Sequence, residues 1–101
     1  MQTTSKQILK DSIVIDTLFH GLFEDPPFEC TENKDIIDIL IEGGVTSIST
    51  TVVDDNYPSN FTECCKEMHK YYLLEDTCPD KVIIVSKSED ILKAKKEKKL
   101  A

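Results

Sequence analysis

Among the carboxylates and imidazoles of this sequence, six gather in two short stretches where they could hold a divalent metal or move a proton: Asp16, His20, Glu24, Asp25, Asp54 and Asp55. Carboxylates and imidazoles are zinc donors and also the usual general acids and bases. Four of the six lie in VIDTLFHGLFEDPPF, Val14 to Phe28, and two in the later VDDNYP. In parallel α/β proteins, ligands bind beyond the carboxyl ends of strands, so the two groups converge only if parallel strands precede both. The composition permits such a site without specifying it. His20 is better explained by packing within its segment or by exposure, and Asp54 and Asp55 by a solvated turn before Pro58. Phe19, Leu22, Phe23 and Phe28 either anchor the segment over a sheet or form an apolar substrate wall.

Cys30, Cys64, Cys65 and Cys78 offer a second chemistry. The N-terminus MQTTSKQILKDS has no apolar core of a secretory signal, and no later run approaches the roughly 18 apolar residues of a membrane span. The expectation is a soluble, cytosolic (cytoplasmic) chain with reduced thiols. Adjacent Cys64 and Cys65 lack CxxC spacing, so small-residue packing explains them better than a thiol redox centre. His69 stands four residues past Cys65 and could share its helical face, but no second ligand pair accompanies them. Neither a Gly-rich phosphate loop nor a GxSxG elbow occurs. The formal charge of -7, with all 12 basic residues lysine, opposes nucleic acid and anionic membrane surfaces as partners.

Three β-rich runs must position these residues: Ser12 to Asp16, Val45 to Val53 and Lys81 to Ser86. A first helix, capped at Asn33, repeats Ile36, Ile37, Leu40 and Ile41 at three- and four-residue spacing and stops at Gly43-Gly44. A second, capped at Ser59 or Asn60, carries an apolar stripe of Phe61, Cys65, Met68 and Tyr72. Ser86 and Glu89 stand at capping-box spacing for a third, with Ile91 and Leu92 inward and the lysines of KAKKEKK in water. The expected class is α/β: three consecutive parallel βα units with short helix-to-strand turns. Since a (β/α)8 TIM barrel takes about 250 residues, a chain of 101 looks like its opening part, one partial domain spanning residues 1–101. Open sheet edges would then invite self-association and give marginal independent stability.

Several phrases add a resemblance. VID at the end of the first strand, ILIEGGVTSISTTV, YYLLED, and CPDKVIIVSKSEDILKAKKEKKLA are similar to the N-terminal part of the membrane dipeptidase (renal dipeptidase) family. IEGGVTSIS and SEDILKAKKEKKLA carry most of it, and the likeness runs from Ser12 to Ala101. It implies a zinc metallopeptidase barrel that hydrolyses dipeptides with a metal-bridged hydroxide. The family's first ligands come from an Asp-Gly-His-x-Asp phrase. Here Asp16 keeps the leading aspartate, Thr17 replaces the glycine, Leu18 takes the place of the first zinc histidine, and His20 takes that of the aspartate. Leucine cannot bind zinc, so Asp16 and His20 are the metal candidates left.

The resemblance thus implies the N-terminal portion of a dipeptidase-like hydrolase, inactive alone, with zinc and a small peptide or amide substrate belonging to a longer parent. The alternative is a non-catalytic binding or scaffolding protein on the same framework.

Overall fold

The computed structural model describes residues 4–19, 34–52 and 61–101. Among them are four helices and two strands: α1 (Ser5–Asp11), β1 (Ile15–Phe19), α2 (Lys34–Glu42), β2 (Ser47–Thr50), α3 (Phe61–Thr77) and α4 (Ser88–Glu97). β1 and β2 pair in parallel, Ile15 with Ser47 and Asp16 with Ile48, before an irregularity that brings Phe19 to Thr50. Thr46 locks the start of this ladder. Its N–H donates to the Val14 carbonyl at 2.8 Å, and its Oγ1 accepts from the Val14 N–H at 3.1 Å. A buried hydroxyl is thereby satisfied where the strands enter the core.

α2 follows its sequence pattern closely. Ile37 is fully buried, Ile36, Leu40 and Ile41 pack around it, and Ile39, between the apolar spacings, faces water. The helix ends at Gly44, whose φ of 95° is a left-handed conformation that side chains rarely adopt. A Cβ there would also lie 3.0 Å from that of Leu9, so the glycine lets α1 approach the turn.

The three-unit expectation fails at Lys81 to Ser86, and the tail shows why. Leu100 and Ala101 run between β2 and that segment. The Ala101 N–H donates to the Thr46 carbonyl, and the Ala101 carbonyl accepts from the Ile48 N–H, both at 2.9 Å. On its other side the Leu100 N–H donates to the Lys81 carbonyl at 2.8 Å, and the Leu100 carbonyl accepts from the Ile83 N–H at 2.9 Å. The tail therefore takes the β2 edge, and the apolar VIIV run is left with one isolated bridge, Val82 to Leu100. The Ile84 amide donates to the Glu75 carboxylate of α3 instead of to a strand. The molecule is an α/β chain with two parallel strands, not three successive βα units, and the description as the opening of a barrel is corrected accordingly.

The core forms where these elements meet: Ile37 of α2, Leu74 of α3, Cys78, Val82 and Leu100. An ion pair from Lys81 to Asp38, at 2.8 Å, ties the segment to α2 at the border of this cluster. α3 is rotated from the expected stripe. Phe61, Cys65, Met68 and Tyr72 are exposed, while Leu74 is buried and Tyr71 packs against the core. In α4 likewise, Leu92 faces water and Ala94 is the buried residue.

α4 is capped from Asp90 rather than Glu89. The Asp90 carboxylate accepts from the Ser86 N–H at 2.9 Å, the Ser86 hydroxyl at 3.1 Å and the Lys87 N–H at 3.1 Å. The Ser86 amide is the largest cause of an Asp90 pKa held below the ordinary carboxylate value, and the Lys87 amide and charge add to it. A folded-state pKa below the unfolded one means that this cap contributes fully above the unfolded carboxylate pKa, about 3.9, and is lost as the pH falls below it. In an acid titration the Ser86 and Lys87 amide resonances should move together in that range, and Asp90→Asn should flatten both curves. Curves that titrate unchanged in the variant would contradict the assignment.

Candidate functional site

Asp16 is the one member of the expected acid–imidazole group that falls among the described residues. It sits within β1, paired with Ile48, and is exposed. Its Oδ1 accepts from the Leu18 N–H at 3.0 Å, a local bond that spends one carboxylate acceptor on its own backbone. Leu18 is 65% exposed, so the residue at the expected zinc-histidine place presents an alkyl group to solvent. His20, Glu24, Asp25, Leu22, Phe23, Phe28 and Cys30 lie outside the described residues, as do Asp54 and Asp55. Phe19 packs against the core, which favours its anchoring role. Among the described residues no three His, Cys, Asp or Glu side chains are grouped to hold a metal. Asp16 supplies one of the three or four ligands a zinc centre takes, and His20, the other metal candidate, lies outside the described residues.

The cysteines divide in a way that sequence did not anticipate. Cys64 and Cys65 are free thiols, Cys64 partly buried and Cys65 exposed, so small-residue burial describes Cys64 better than its neighbour. Cys78 is 1% exposed and disulfide-bonded, which overturns the expectation of reduced thiols at that residue. Cys65 and His69 are both exposed on α3 without a further donor beside them among the described residues. Unfolding without reductant, followed by alkylation and peptide mapping, should modify Cys64 and Cys65 but leave Cys78 blocked. Alkylation of Cys78 under those conditions would contradict the disulfide.

A concave apolar surface lies elsewhere, on the β2 side of the tail. A groove of about 280 Å³ runs between β2 and residues 83–85, with Leu100 and Ala101 at one end and Met68, Tyr71 and Tyr72 of α3 in its lining. The sequence placed Met68 and Tyr72 in an apolar helix stripe without showing what the stripe faces. The signal was the stripe itself, an apolar helix face that needs a neighbour.

No family model, curated protein or solved structure matches the chain. The dipeptidase likeness consequently rests on the quoted phrases alone. Among the described residues no helix is long and apolar enough to cross a membrane.

Proposed function

We propose that this chain supplies framework to a dipeptidase-like metal-dependent hydrolase, corresponding to its N-terminal portion, and has no hydrolytic activity of its own. The observation that carries this reading is the state of Asp16 and Leu18 within β1. Asp16 is the second residue of that strand, not its last as the resemblance implies, its carboxylate bonds the Leu18 amide, and Leu18 offers no donor. A small peptide or amide would be the substrate of the longer parent, and zinc would depend on groups other than those described here.

The test is zinc content and dipeptide hydrolysis on the purified chain. The expected result is less than stoichiometric zinc after dialysis and no turnover above the buffer blank. Stoichiometric zinc together with turnover that Asp16→Ala abolishes would overturn the proposal.

A second reading, a non-catalytic binding protein on the same framework, is favoured by the apolar groove of about 280 Å³ against β2. As to compartment, the disulfide at Cys78 supports an oxidising environment over the cytosol expected from sequence.

A further inference from the structure

We infer that Cys65, Met68 and His69 form a site for one soft monovalent metal ion, copper(I), on the exposed side of α3. The helix sets the geometry. Residues three and four apart are neighbours on a helix surface, with Cβ atoms about 5–6 Å from one another. Met68 and His69 stand three and four residues past Cys65 within α3, so a thiol, a thioether and an imidazole share one helical turn. A single ion with bonds of about 2.0–2.3 Å to each donor closes a span of that size with the backbone held as it is. All three side chains are exposed, and Cys65 is a free thiol.

The donor set selects the ion. Thiolate and thioether together favour soft ions such as copper(I), and imidazole suits copper as well. Zinc takes three or four donors from thiolate, imidazole and carboxylate, and among the described residues no third His, Cys, Asp or Glu joins Cys65 and His69. The carboxylates beside this turn are engaged with lysines, Glu63 with Lys66 at 3.0 Å and Glu67 with Lys70 at 2.8 Å. A hard, oxygen-seeking cation therefore meets partnered carboxylates, whereas a soft one meets three exposed donors. Cys64 is partly buried and stands about 140° around the helix from His69, which leaves it outside the set. As the ion binds, the Cys65 thiol proton leaves to solvent and the sulfur–copper bond forms, with copper monovalent throughout. The site stands on α3 alone and is independent of either functional reading above.

The experiment titrates the full chain with copper(I) under nitrogen, kept monovalent by ascorbate, in competition with a chromogenic copper(I) chelator. A one-to-one complex is expected, with NMR shifts of the His69 ring and Met68 methyl signals on loading. Cys65→Ser and His69→Gln, both at exposed positions, should each weaken binding on the order of 10–100-fold, and Met68→Leu by less. Cys64→Ser should leave the affinity unchanged, and circular dichroism of all four variants should match that of the parent chain. Absence of a one-to-one complex, or an affinity that His69→Gln does not change, would overturn the proposal. Equal losses in Cys64→Ser and Cys65→Ser would also overturn it, by making the adjacent thiols the binding pair.

Discussion

Deleting Leu100 and Ala101 should abolish the cooperative thermal melt of this chain. These two residues form four backbone hydrogen bonds, two to β2 and two to the 81–83 segment, and Leu100 is 2% exposed within the core cluster. A backbone hydrogen bond contributes about 0.5–1.5 kcal/mol net, and loss of a buried leucine side chain costs about 2–5 kcal/mol. Together these approach the roughly 5–15 kcal/mol that stabilises an ordinary domain. The loss is concentrated because, among the described residues, no other backbone hydrogen bond links β2 to the 81–83 segment. Leu100→Ala keeps the backbone bonds and should cost only about 2–4 kcal/mol, so its urea midpoint falls while a single transition survives. A sharp melt retained by the deletion would show that the tail is peripheral.

Ile37→Ala should be the most damaging single truncation in α2. Ile37 is fully buried at the centre of the cluster, and an isoleucine-to-alanine change at such a site costs about 2–5 kcal/mol. For a domain of this size each kcal/mol shifts Tm by about 4–8 °C, so a fall of more than about 10 °C is expected by circular dichroism. Two comparisons make the result specific. Ile37→Val should cost only about 0.5–1.5 kcal/mol, and Ile39→Ala, at a position 64% exposed, should stay within about 0.5 kcal/mol. Equal losses at Ile37 and Ile39 would mean that α2 is not seated on the core as described.

α2 and its stop were legible because two independent signals coincide: apolar residues at helical spacing, and a double glycine whose second member takes positive φ. α3 was legible as a helix but not in its orientation. Tyr71, Tyr72, Leu73 and Leu74 place apolar groups nearly all round one turn, so spacing alone cannot choose the buried side. α1 escaped notice because it is seven residues long and buries none of them; its one cue is Thr4, whose Oγ1 accepts from the Gln7 N–H at 3.2 Å. The second strand was placed correctly at its centre, though its ordered ladder covers Ser47–Thr50 rather than Val45 to Val53.

The largest difference, the loss of the third strand, has a physical cause that local pattern does not contain. VIIV has the composition of a strand buried on both faces. Whether it becomes one depends on which segment reaches the β2 edge, and Leu100 with Ala101 does so from the far end of the chain. The candidate site shows the same limit. Asp16 could be assigned to a strand from its surroundings, yet its bond to the Leu18 amide lies where the ladder becomes irregular between Asp16 and Phe19, which residue pattern does not reveal.

The central claim is the order of backbone edges: β1, β2, the Leu100–Ala101 tail, then the 81–83 segment. Through-hydrogen-bond NMR couplings measure it directly in the isotope-labelled chain. Couplings are expected from the Ile48 amide nitrogen to the Ala101 carbonyl carbon and from the Ile83 amide nitrogen to the Leu100 carbonyl carbon. Couplings that join Ile48 directly to the 82–84 backbone, with Leu100 and Ala101 amides exchanging freely, would contradict it and restore the third strand.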